Sequence, residues 1–121
     1  MVVHDDADDR ARLRNVFEEV GWTVTEAPGG AQALALLREP PLPDVLLLAL
    51  AMSGMDGLAV LTELRTERRI HELPVVLLAA RRSPLGDRLV EALGAESCII
   101  KPFDPGVLLS RCAALAGSVR G

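Results

Sequence analysis

At 121 residues, half of them apolar and a quarter charged, the chain is long enough for one domain with one substantial core, spanning 1–121, and excludes a disordered tail. A net charge of −4 and a pI near 5.1 argue against direct binding to nucleic acid, which draws on a basic face. No apolar run approaches the roughly 18–20 residues that span a bilayer, the acidic start is unlike a signal peptide, and Cys98 and Cys112 make neither a disulfide framework nor a zinc site, so a cytoplasmic setting without membrane contact is expected.

Taken along the chain, five short apolar runs alternate with five helical patterns. A first strand is expected at 1–3, followed by a helix whose Leu13, Val16, Phe17 and Val20 fall at i, i+3, i+4 and i+7, with Gly21 at its end. A second strand at 23–27 leads to an Ala- and Leu-rich helix at about 31–39, which Pro40, Pro41 and Pro43 separate from a third strand at 45–50. Leu58, Leu61 and Leu64 mark the third helix, and 75–79 the fourth strand. Ser83-Pro84 opens the fourth helix, Leu85, Leu89 and Leu93 give it an apolar stripe, and Gly94 closes it. The fifth strand falls at 98–100, and Asp104-Pro105 opens a last helix carrying Leu108, Cys112 and Leu115.

The third and fourth strands are continuously apolar rather than alternating, as strands buried on both faces of a parallel sheet are. A β-α unit repeated five times then predicts a doubly wound α/β domain with helices on both faces. Only three residues precede His4. Either the central strand is short, or the natural start lies upstream of Met1, or the chain was trimmed; a three-residue central strand would weaken the fold.

In doubly wound sheets the working site lies beyond the carboxyl ends of the strands. There the first strand is followed by His4-Asp5-Asp6-Ala7-Asp8-Asp9, a run of carboxylates of the kind that holds a hard cation. Asp8 and Asp9 are read as complements to the positive end of the following helix, which leaves His4 and Asp5 as the site candidates. The third strand runs into Ala49-Leu50-Ala51-Met52-Ser53-Gly54-Met55-Asp56-Gly57, the fourth into Ala79-Ala80-Arg81, and the fifth into Lys101, the sole lysine beside twelve arginines.

The stretches at 43–57 (PDVLLLALAMSGMDG), 73–80 (LPVVLLAA), Gly94-Ala95 and 101–105 (KPFDP) resemble, in order and at the same spacing, a receiver domain of the bacterial two-component response regulators. The resemblance covers the whole chain. It implies a flavodoxin-like five-stranded parallel sheet in the order 2-1-3-4-5, and phosphoryl transfer from a histidine kinase to an aspartate with the help of magnesium. It also implies that most of this chemistry is absent. Ala49 stands at the phosphoacceptor position, and a methyl group has no oxygen to attack phosphorus. His4 and Asp5 stand at the acidic pair, Ala79 at the hydroxyl position and Cys98 at the aromatic switch. Only Asp5 and Lys101 keep the family identity. Pro102 is also kept, and with it the expectation of a cis Lys101-Pro102 peptide.

Magnesium in such domains draws on the acidic pair, the acceptor carboxylate and a backbone carbonyl, here that of Ala51. With two of three carboxylates gone, no metal is expected, Asp5 being the one residual ligand. Lys101, without a phosphoryl group to neutralise, is expected to pair with Asp5. Asp56 reads as a helix cap, Ser53 as an exposed loop residue, and His71 as a solvated one. Trp22 is expected to pack, Cys112 to be core, and Cys98 to sit near a surface.

Three functions are compatible with these residues. The first is a signalling module that no longer accepts phosphate and meets a protein partner or a second copy through the face of the fourth helix, fifth strand and fifth helix, near Arg88, Glu91, Ser97 and Arg111. The second is a small-molecule module with its ligand in the space left by Ala49 and Ala79. The third is a receiver phosphorylated at another carboxylate, of which Asp5, Asp6 and Asp56 are the candidates. An enzyme is not expected, since a flavodoxin-type phosphate loop would not be lined with carboxylates.

Overall fold

The computed structural model describes residues 1–39, 41–67, 73–80, 84–95 and 97–120, without the side chains at 85, 86, 89, 90, 97 and 117–120. The expectations for Pro40, His71, the Ser83 cap, the stripe residues Leu85 and Leu89, and the side chain of Ser97 lie outside the described residues. Among those described, strands β1 (Val2–Val3), β2 (Glu26–Ala27), β3 (Leu46–Ala49), β4 (Val75–Ala79) and β5 (Ser97–Ile100) alternate with helices α1 (Ala7–Glu18), α2 (Gly30–Leu37), α3 (Gly57–Thr66), α4 (Pro84–Ala92) and α5 (Pro105–Arg120). The strands pair in parallel in the order β2-β1-β3-β4-β5, the doubly wound arrangement expected.

Strand alternation sorts the apolar residues into two cores. Val3, Leu46, Leu48, Val75 and Leu77 face α2 and α3, where Leu34, Leu37, Val60, Leu61 and Leu64 meet them. Val2, Leu47, Val76, Leu78 and Ile99 face the other way, against Leu13 and Phe17 of α1 and Leu108 and Cys112 of α5. Each fully buried side chain of this size contributes about 1.5–3 kcal/mol, and a one-residue slip would exchange the two sets. Register is therefore held from both sides at once.

Three expectations about extent need correction. β2 is two residues rather than five, because its sheet neighbour β1 is itself only two residues long and offers no further ladder. A single contact precedes the ladder, from the Val2 N–H to the Thr25 carbonyl at 2.9 Å. α2 ends at Leu37, two residues early. Val20 lies beyond the end of α1 and is 57% exposed, so the stripe that packs stops at Phe17. Trp22 takes over from it, meeting Phe17 edge-on with ring centroids 5.3 Å apart.

Capping follows the residue types. Asp56 accepts from the Ala59 N–H at 2.9 Å at the head of α3, and Asp104 from the Val107 N–H at 3.1 Å at the head of α5. Gly21 and Gly94 end their helices with φ of +91° and +68°. Gly57 has a different reason to be glycine. A Cβ there would stand 2.5 Å from the Ala49 carbonyl oxygen, so the head of α3 is pressed directly onto the tip of β3. No described helix is long and apolar enough to cross a membrane.

Candidate functional site

The predicted site residues gather at the carboxyl edge of the sheet. Ala49 ends β3, Ala79 ends β4, His4 follows β1 and Lys101 follows β5. Backbone bonds tie these tips together: His4 N–H to the Ala27 carbonyl at 3.2 Å, Leu50 N–H to that of Leu78 at 2.8 Å, and Lys101 N–H to that of Ala79 at 2.9 Å. Lys101-Pro102 is a cis peptide. Ala49 and Ala79 are 2% and 8% exposed, so their methyl groups offer little surface to a ligand.

Cys98 sits within β5, opposite Leu77, half-buried on the α2 and α3 side. Burial and then the nearby Asp87 carboxylate push its thiol above the ordinary range, so it is not poised as a thiolate. Cys112 is core, and burial pushes its thiol up to about 11.

The charged residues do not pair as expected. Lys101 does not meet Asp5; its Nζ donates to Oδ2 of Asp9. Asp9 is thus more than a complement to the helix end. It is 8% exposed, the only charged or polar residue among those described in that buried class, and it sits one turn before Leu13 on the inward side of α1. A carboxylate so placed requires a cation, and Lys101 is the one the fold brings to it. The end of α1 is capped instead by Asp6, whose carboxylate accepts from the N–H groups of Asp8 and Asp9 at 2.9 and 3.0 Å.

Asp5 turns the other way. Its Oδ2 accepts from the Ser53 N–H at 2.9 Å, which pins the loop after β3 to the loop after β1. That bond, above all, holds the Asp5 carboxyl below its ordinary range. His4 lies between the two carboxylates, with Nδ1 3.7 Å from Asp5 and Nε2 3.6 Å from Asp9. Its Nδ1 accepts from the Asp6 N–H at 3.1 Å, which places the proton of a neutral ring on Nε2, facing Asp9. Arg10 donates to the His4 carbonyl at 2.8 Å and lies 3.4 Å from Glu26. Glu26 also holds Arg14 at 2.8 Å, so β2 is fastened to α1 by charge as well as by packing. Arg10, Arg14 and Glu26 had no separate signal in the sequence beyond the spacing of the two arginines along one helix.

The family model for the response regulator receiver domain matches residues 1–113. The chain belongs to this family. The transcriptional regulatory protein CpxR of Klebsiella pneumoniae is 36% identical to it over 115 residues, 95% of this chain. Those residues are 47% of that protein, so the chain spans about half the length of such relatives. The receiver domain of the Francisella response regulator 1452 superposes with a TM-score of 0.87 at 28% identity, covering 98% of this chain and 95% of that one. The chemotaxis protein CheY4 of Vibrio cholerae does so with 0.86 at 25% identity, over 94% of each chain.

Receivers are associated with magnesium, and the donors of this one do not fit it. A hard divalent ion needs an octahedral set of oxygens. Here one Asp5 oxygen is bound to the Ser53 amide, Asp9 is neutralised by Lys101, His4 offers nitrogen, and Ala49 offers nothing. Among the described residues no three His, Cys, Asp or Glu side chains converge on one point.

Proposed function

We propose that this receiver domain works in a phosphorelay signal transduction system as a pseudo-receiver, by protein contact that does not depend on its own phosphorylation. The observation that carries the reading is Ala49 at the tip of β3, where phosphoryl transfer requires a carboxylate oxygen. The engagement of Lys101 by Asp9 and of Asp5 by Ser53 supports it, since both family groups that remain are occupied internally. The domain is a cytoplasmic signalling module rather than an enzyme, and its acidic surface is not the part of any larger regulator that touches DNA.

The partner, another protein or a second copy, meets the face of α4, β5 and α5. The exposure of Arg88 and Glu91 on α4 and of Arg111 on α5 supports this choice, and Ser97 is the first residue of β5. Treatment of the chain with acetyl phosphate and magnesium, followed by intact-mass spectrometry, tests the reading. No phosphoryl mass increase is expected. A stoichiometric adduct mapping to Asp5, Asp6 or Asp56 would replace the reading with phosphorylation at a different carboxylate.

A further inference from the structure

A cavity of about 380 Å³ opens beside Lys101, lined by residues of α1, of the loop after β5 and of α5. Its volume lies in the range of small-molecule sites, roughly 300–1,000 Å³. Val16, Pro102 and Phe103 offer it apolar surface, the buried Leu13 and Leu108 also line it, and so do the paired Lys101 and Asp9. Arg12 stands at its edge, exposed, and makes no ion pair or hydrogen bond among the described residues. One carboxylate and two cations therefore face the same apolar chamber, which leaves an excess of one positive charge.

We propose that this cavity is an input site for a small monocarboxylate with an apolar body. The apolar walls take the body out of water. The planar guanidinium of Arg12 takes the carboxylate in a fork, with Lys101 as the second cation. A neutral ligand would leave the surplus charge unmatched, and an inorganic anion would leave the walls wet. The site also has a route to the rest of the carboxyl edge. A ligand oxygen on Nζ of Lys101 competes with Asp9, and Asp9 already lies 3.6 Å from Nε2 of His4, which neighbours Asp5 and, through it, the Ser53 amide. Occupancy would thus supply what phosphorylation does not. The site itself stands without the pseudo-receiver reading; only this regulatory output rests on it.

The test is a methyl and amide NMR titration of the 121-residue chain with 4-phenylbutyrate, set against its neutral amide and against inorganic phosphate. Saturable shifts are expected at the methyl groups of Leu13, Val16 and Leu108 and at the Ser53 amide, with the carboxylate bound about tenfold more tightly than the amide. Arg12→Gln, at an exposed position, should remove most of that preference while the spectrum stays folded. Absence of saturable shifts, shifts mapping elsewhere, equal binding of acid and amide, or phosphate acting as well as the probe would each overturn the site. Binding that leaves the Ser53 amide unmoved would overturn the regulatory route. Neither result depends on whether the chain accepts a phosphoryl group.

Discussion

Asp9 and Lys101 stand 92 positions apart and meet at one edge of α1. Removing the cation alone leaves, among the described residues, a buried carboxylate with only His4 beside it. Lys101→Met should therefore destabilise the chain by about 1–3 kcal/mol, below the roughly 3–5 kcal/mol for breaking a fully buried pair because the lysine is partly exposed. Adding Asp9→Leu should restore most of the loss, since an apolar side chain continues the line of Leu13 and Phe17. Urea unfolding of both single variants and the double measures this; a double variant whose loss is the sum of the two single losses would show the two residues to be uncoupled. The pair was hidden because a helix-end role already accounted for Asp9. The available signal was an acidic residue on an apolar stripe, four positions before Leu13 and eight before Phe17.

Two titrations belong to single residues as well. The Cys112 thiol loses its proton near 9.0 when the chain is unfolded and near 11 when folded. Between these values the unfolded chain holds fewer protons, so stability falls as pH rises, by at most about 1.4 kcal/mol per unit. Cys112→Ala should flatten that stretch of the stability profile. At the acid end the sign is reversed. Asp5 has a folded pKa below 3.8, so its bond to Ser53 is fully present above that pH and is lost as pH falls through the folded value. The Ser53 amide resonance should titrate with a midpoint below 3.8. A midpoint above it would mean that the bond does not hold the carboxylate.

The tip of β3 and the head of α3 form one mechanical unit. Gly57→Ala would drive a methyl to 2.5 Å from the Ala49 oxygen and 2.9 Å from the Leu50 Cα, both backbone atoms that cannot turn aside. A loss of about 1–3 kcal/mol is expected, as for other overpacked contacts. Asp56→Ala removes only the cap at the same helix and should cost about 1 kcal/mol. Thermal unfolding of the two variants separates close approach from capping, and equal losses would contradict this division. β3 and β4 were legible because both faces are buried and the runs are unbroken. β2 was overread: Thr23, Val24 and Thr25 have the residue types of a strand, but a ladder needs a partner of equal length, and β1 has two residues. Propensity is local, whereas the partner is set by topology.

For the whole molecule, the doubly wound α/β architecture follows from pattern and its receiver strand order from the family resemblance, while the proposed silence toward phosphate rests on a few side chains at one edge. Fold and chemistry are separable in this way because the two cores involve neither Asp5 nor Lys101. The shape is preserved by the apolar residues on both faces of the sheet. At that edge β3 ends on the methyl group of Ala49, and the partly exposed side chains of Lys101 and Asp5 are engaged by Asp9 and by the Ser53 amide. Such a domain should hold one conformation whatever its phosphoryl donor, and change only when a partner or ligand distinguishes between states.

Beryllofluoride, which mimics a phosphoryl group on a carboxylate in the presence of magnesium, addresses this directly. Titrated into the chain and followed by amide NMR, it should leave His4, Leu50, Ala51 and Lys101 unshifted. Saturable, magnesium-dependent shifts of those amides, spreading to α4 and β5, would contradict the account.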